Sequence, residues 1–170
     1  GTPVRAVSRH AVGANRQVAV ATDDGIEWFD HVVLACHSGQ SLDLLPDATG
    51  AERDVLESIP YQPNRAYLHT DAGLMPRRRS AWAAWNYLSN GDPSAPEVSV
   101  SYWLNRLQPL PFETPVFVSL NPLAEPAPET VIASFDYEHP IFDSRSVAAQ
   151  RRLASLQGER RTWYAGAWTG

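Results

Sequence analysis

Five aromatic side chains crowd two short stretches of the sequence. Trp82, Trp85 and Tyr87 lie in Ala81-Trp-Ala-Ala-Trp-Asn-Tyr87, and Tyr102 and Trp103 end Val98-Ser-Val-Ser-Tyr-Trp103. Aromatics at this density suit the wall of an apolar substrate cavity, because small-molecule pockets are mostly hydrophobic with a few polar anchors. Asn86 and Asn105 stand beside them as candidate anchors for a bound molecule. Each pattern has a plainer reading: alternating aromatics form sheet cores, and strand-end asparagines close turns. His69 and His139 are the histidines in motif-like settings. A neutral imidazole there would exchange a proton near physiological pH, or would simply hold a structural hydrogen bond. Gly166-Ala167-Trp168 forms a glycine turn, where backbone can approach a ligand closely; a bare strand-to-turn transition is the alternative. Cys36 reads as packing at the end of a buried strand. No catalytic dyad is visible, and no catalytic residue is assigned.

Other chemistries are excluded by what is missing. All fourteen cationic residues are arginine, so no lysine is present to form a Schiff base. Five histidines without paired ligand spacing, and one cysteine, give no metal site. A single cysteine also forbids an intrachain disulfide, which points to a reducing compartment and a cytoplasmic location. Net charge is −5 with no basic stripe, so nucleic acid is not an expected partner. Arg77-Arg-Arg79 is the one basic cluster, either a solvated loop or a contact for an anion or partner. No window approaches eighteen apolar residues, so no membrane span is expected.

These residues need elements to position them. At 170 residues the chain suits one domain or slightly more. Val4 to Arg9 alternates as a half-buried strand, Gly13-Ala-Asn15 supplies a turn, and Val18 to Thr22 is a second strand. Asp23-Asp-Gly25 is a hairpin signal leading into Ile26 to Phe29. His31 to Cys36 is a continuous apolar run, expected as a strand buried on both faces. A short helix follows from Ser38 to Pro46. Thr49-Gly-Ala-Glu52 has capping-box spacing and opens another helix, running to Ile59. Arg65 to Thr70, Ala81 to Tyr87, Val98 to Trp103, Val116 to Leu120 and Val131 to Tyr137 read as strands, and Asn90 to Pro96 as a loop. An antiparallel sheet of four or five strands is expected between about 62 and 138. Ser144 to Leu156 should be an amphipathic helix with Val147, Leu153 and Leu156 inward, closed by Gly158. Thr162 to Gly170 reads as a strand entering a glycine-rich turn.

Phe29-Asp-His-Val-Val-Leu-Ala-Cys36, the meander before it and Leu44-Leu45 after it resemble FAD-dependent enzymes of the amine-oxidase and phytoene-desaturase type. In those, a D-x-V-V-L-A strand returns the chain to the FAD domain. The likeness continues through Ala66-Tyr-Leu-His-Thr-Asp71, Met75-Pro-Arg-Arg-Arg79, Ala81 to Tyr87, Tyr102-Trp-Leu-Asn-Arg-Leu-Gln108, Tyr137-Glu-His-Pro140 and Ala165-Gly-Ala-Trp-Thr-Gly170. Together these are similar to the bacterial group of predicted NAD/FAD-binding proteins with an amine-oxidase domain, over nearly the whole chain. The family's G-x-G-x-x-G, which cradles the pyrophosphate, is absent here. Where many relatives carry an acid after the glycine near the C-terminus, this chain has Ala167.

The resemblance implies an α+β fold: a mixed, mainly antiparallel sheet with covering helices, plus a β-meander from the FAD domain. Residues 1–37 would belong to the FAD domain, 38–158 to a substrate-side domain, and 159–170 to a second FAD-contacting segment. It further implies FAD in the full-length protein, not retained by this piece alone, with Ala35, Gly166, Ala167 and Trp168 at the cofactor. The substrate, small or lipid-like, would meet Trp82, Trp85, Asn86, Tyr87, Tyr102, Asn105, His69 and His139. Amine oxidation and carbon–carbon desaturation both fit. A non-catalytic binding module with an aromatic pocket, or an accessory subunit of a flavoenzyme, are the alternatives. Exposed strand edges would permit a homodimer.

Overall fold

The computed structural model describes residues 1–12, 15–95 and 97–170, apart from the side chains of residues 10–12, 15 and 16. Gly13 and Ala14 of the expected first turn, Pro96 of the expected loop and the His10 side chain lie outside the described residues. In chain order the elements are β1 (Val4–Val12), β2 (Asn15–Thr22), β3 (Gly25–Phe29), β4 (Val32–Leu34), α1 (Ser38–Asp43), α2 (Gly50–Leu56) and β5 (Tyr61–His69). Then come β6 (Trp85–Ser89), β7 (Val98–Trp103), α3 (Leu104–Leu107), β8 (Phe117–Leu120), β9 (Val131–Pro140), α4 (Ser144–Leu153) and β10 (Thr162–Tyr164). The fold is α+β, with two antiparallel sheets and one parallel pair. It divides into two compact units, residues 1–62 with 139–170, and residues 63–138. The expected boundaries at 37/38 and 158/159 do not coincide with this division, because α1, α2 and α4 pack with the strands of the first unit.

In the first unit β1, β2 and β3 form a meander in that order. Its second hairpin turns at Gly25, whose φ of 134° is a conformation that side-chain-bearing residues avoid. Val7 and Val18 point inward and are fully buried, while every residue of β3 is exposed. The core gathers these valines with Leu34, Leu45, Val55, Leu56, Leu153 and Trp168. Each fully buried aliphatic side chain contributes roughly 1.5–3 kcal/mol of hydrophobic stabilisation. Glu52 Oε2 accepts from the Thr49 N–H (2.7 Å) and Thr49 Oγ1 accepts from the Glu52 N–H (3.2 Å), so the capping box forms as the spacing predicts.

Three expectations for this unit are corrected. Among the described residues β4 pairs only with β10, in parallel, and Val33 is 60% exposed, so this strand is covered on one face rather than two. α2 ends at Leu56, not Ile59. In α4 the inward face is Ser146, Ala149 and Leu153, at the i, i+3, i+7 spacing of one helical stripe, and it leaves Val147 exposed.

The second unit is built on one five-stranded sheet in the order β6-β7-β8-β5-β9. The register sets Asn86 opposite Ser101 and Ser101 opposite Ser119; Trp103 is opposite Phe117, which is opposite His69. Residues directly opposite share a face, so these side chains line one side of the sheet. Trp85, Tyr87, Val100, Tyr102, Val118 and Leu120 line the other. β6 begins at Trp85, four residues later than the expected Ala81, because Arg79–Ala81 form a 3-10 turn. The α3 turn was not anticipated.

Candidate functional site

The first candidate region lies where β4 and β10 end. The two strands run parallel in register, Val32 to Leu34 against Thr162 to Tyr164, and the Ala165 N–H donates to Leu34 O (3.0 Å). Ala35 therefore leaves one strand beside Ala165 and Gly166 leaving the other, and both Ala35 and Gly166 are exposed with Ala167. A crevice outside the carboxyl ends of parallel strands is where open α/β sheets bind ligands. Trp168 is different: it is 1% exposed, its Nε1 donates to Cys36 O (2.9 Å), and its own carbonyl accepts from Gln150 (3.0 Å). Its indole therefore locks the two turns together and offers no surface to a ligand.

Gly166 has a physical reason of its own. Its φ is 140°, and a Cβ placed there would meet the Trp168 ring at 3.2 Å. The missing side chain makes room for Trp168. Three residues after Ala35, Ser38 Oγ is buried and has no hydrogen-bond partner among the described residues, although the Ser38 N–H donates to Tyr61 Oη (2.8 Å). Cys36 Sγ lies 3.3 Å from Ser41 Oγ.

An ionic cluster underlies the same strands. The Arg9 guanidinium pairs with both Glu52 carboxylate oxygens, and with Asp47 Oδ1 through Nε (2.9 Å). Tyr164 Oη donates to Glu52 Oε1 (2.9 Å), and Arg160 pairs with Asp47 Oδ2 (2.6 Å). Burial pushes the Glu52 carboxyl up, but hydrogen bonds from Arg9, the Thr49 N–H and Tyr164 outweigh it and hold Glu52 below its ordinary range. Burial, and then the Glu52 charge, push the Tyr164 phenol well up. Every member is satisfied by another, so this cluster joins β1, α2 and β10 and presents no reactive group.

In the second unit His69 is fully buried. Its Nδ1 accepts from the Asp71 N–H (3.1 Å), so the ring proton sits on Nε2 and is donated to Ser119 Oγ (2.9 Å). Ser119 Oγ also lies 2.6 Å from Ser101 Oγ, a hydrogen bond that either hydroxyl can donate. The imidazole donates to Ser119, which is the reverse of a base activating a serine. Burial drives the His69 pKa down against the opposing Asp71 charge, so the ring is neutral. Asn86 closes on Ala83 N (2.9 Å), Ala83 O (2.7 Å) and Ser101 O (3.2 Å). Asn105 closes on Thr114 O (3.0 Å) and Val116 N (2.8 Å). All three side chains hold the sheet and its loops.

The aromatics divide between the two faces. Trp82 donates Nε1 to Pro76 O (2.8 Å) and packs edge-on against Trp103 (5.3 Å) and Phe117 (5.6 Å). On the opposite face Trp85 meets Tyr102 edge-on (5.6 Å), and Trp85 and Tyr87 are 57% and 66% exposed. Burial, with Tyr87 and Tyr137 nearby, raises the Tyr102 pKa. Val100, Val118 and Leu120 extend this apolar face beside the aromatics. His139 is exposed near the end of β9. The sequence missed the Arg9–Glu52–Tyr164 cluster, whose members lie up to 155 residues apart and share no local pattern.

No family model and no curated protein matches the sequence. Among solved structures, the fold is similar to a CLA-producing fatty acid isomerase from P. acnes, with a TM-score of 0.59 and 16% identity. That match covers 97% of this chain and 42% of the other. It is similar also to cyclohexylamine oxidase from Brevibacterium oxydans IH-35A, with a TM-score of 0.58 and 10% identity, covering 99% of this chain and 43% of that one. The chain thus spans less than half the length of these proteins. At such identity the likeness is one of fold.

Proposed function

We propose that this chain is part of an FAD-dependent oxidoreductase of the amine-oxidase or desaturase type and contributes its substrate-binding region. The observation that carries the reading is the joining of the Ala35 and Gly166-Ala167 turns at the carboxyl ends of two parallel strands. Such a junction is where a dinucleotide lies in doubly wound sheets. The likeness of fold to an oxidase and a fatty acid isomerase supports the same reading.

The residues fit one edge of the cofactor. The exposed backbone of Ala35, Gly166 and Ala167 would line it, and Ser38 Oγ, three residues after Ala35, is a buried polar atom without a hydrogen-bond partner among the described residues. The pyrophosphate requires a glycine-rich turn at a helix N-terminus, and the sequence contains no G-x-G-x-x-G. When bound, FAD supplies the hydride acceptor. The chain's own part is apolar: Trp85, Tyr87 and Tyr102 hold a small or lipid-like substrate. The His69–Ser119–Ser101 relay stiffens the sheet behind them.

The test is to express the longest natural reading frame that contains this sequence and to record its visible spectrum after desalting. A flavin band retained by that protein, and lost by the 170-residue chain alone, is the expected result. Absence of flavin from the longer protein would defeat the proposal.

A further inference from the structure

The arginine loop at residues 77–79 is unexplained by the substrate face or the flavin edge. Arg77, Arg78 and Arg79 are all exposed, and among the described residues none of them makes an ion pair. The loop is held, not slack. The Trp82 indole ties it back through Pro76 O (2.8 Å), and the Arg79 guanidinium lies 4.8 Å from the centre of the Trp82 ring. Trp82 packs on Trp103, which leads directly into α3. α3 carries Arg106, exposed and also without an ion pair, and Leu107, 46% exposed. Phe112, 49% exposed, sits in the loop that follows, which Asn105 closes through Thr114 O and Val116 N.

Four unpaired guanidiniums in a chain of net charge −5 are a local reversal of sign. Exposed leucine and phenylalanine on the adjoining segment add apolar area that a free anion or a nucleic acid would not use. Basic side chains on one loop, with exposed aliphatic and aromatic ones on the segment that Trp82 packs it against, suit an anionic lipid surface, where arginines meet headgroup phosphates and apolar tips enter the acyl boundary. We propose that the 77–79 loop and the α3 segment, Leu104 to Phe112, dock this protein on an anionic bilayer. This surface is independent of the flavin reading, and its test needs no cofactor.

The experiment is co-sedimentation of the 170-residue chain with vesicles of phosphatidylcholine containing about 30% phosphatidylglycerol, beside vesicles of phosphatidylcholine alone. The chain should bind the anionic vesicles and not the neutral ones, more weakly as salt is raised. R77Q/R78Q, which keeps the Arg79–Trp82 contact, should lose roughly 25-fold in partitioning, and R77Q/R78Q/R79Q on the order of 100-fold. L107S/F112S should weaken binding with the salt dependence unchanged. Unaltered circular dichroism in each variant keeps the comparison valid. Equal binding to neutral vesicles overturns the proposal, as does binding that the arginine changes leave intact. Displacement by millimolar inorganic phosphate would mark a small-anion site, and failure to bind vesicles with retention on an acidic protein would mark a protein contact; either overturns it.

Discussion

Replacing Glu52 with glutamine removes one charge from the best-buried ion pair among the described residues. The side chains of Arg9 and Glu52 are 2% and 4% exposed, and Glu52 accepts from Arg9, the Thr49 N–H and Tyr164. Glutamine keeps the shape and one acceptor oxygen, but it sets an NH2 group where a carboxylate oxygen met a donor. Asp47, itself shared with Arg160, is then the one charged partner left to Arg9 among the described residues. Removing one partner of a buried pair costs about 3–5 kcal/mol, and retained hydrogen bonds place this case near 3 kcal/mol. For a chain of 170 residues that is a fall in Tm of roughly 6–12 °C. Urea unfolding at neutral pH, followed by circular dichroism, reads the change directly. The double variant Arg9→Met/Glu52→Leu should recover much of the loss, because no charge is then buried alone and Asp47 keeps Arg160. A Glu52→Gln variant within about 0.5 kcal/mol of the parent would refute the reasoning. A double variant as costly as the sum of its single changes would do so equally.

His69→Gln should flatten the pH dependence of stability on mild acidification. The folded pKa lies below the ordinary 6.5, so the unfolded chain binds the proton first, and stability falls as pH drops below 6.5. The slope is up to about 1.4 kcal/mol per pH unit, measured by urea melts at stepped pH, and the glutamine variant should lack it. Glu52 and Asp47, both held below their ordinary range, lose their contribution at lower pH, as it falls below about 4.5, so the two effects separate on the same axis. Gly166→Ala should destabilise by about 1–3 kcal/mol, through a strained φ and a Cβ against the Trp168 ring, as seen in urea unfolding. Trp85→Ser and Tyr87→Ser should leave stability within about 0.5 kcal/mol, since both side chains are exposed, yet weaken binding of an apolar substrate in the full-length protein, read as a raised KM.

Local chemistry made some of this structure legible in the sequence. Asp23-Asp-Gly25 turns where only the local backbone matters, and Thr49 with Glu52 closes a helix start over three residues. Alternation found β7 and β8, and the α+β class that the resemblance implied is the one observed. What failed depends on partners distant in sequence. The aromatic run at 81–87 looks uniform, yet the Trp82 indole bonds to Pro76 and bends its start out of the sheet, while Trp85 and Tyr87 face the other side. The hydrogen bonds that Asn86, Asn105 and His69 make within the unit reach partners that no local pattern in the sequence names. Trp168 looked cofactor-facing from its glycine, but that glycine yields space to the tryptophan. The apolar run at β4 suggested two covered faces, and its open side appears only once β10 is seen to be its single partner among the described residues.

The most direct test of the account is the visible absorption spectrum of the longest natural reading frame containing this sequence, beside that of the 170-residue chain, each desalted after incubation with FAD. The account predicts a retained flavin band for the longer protein and none for the chain alone, because the strands that flank the cofactor are here and the pyrophosphate cradle is not. A band retained by the chain alone, or none in the longer protein, would contradict it.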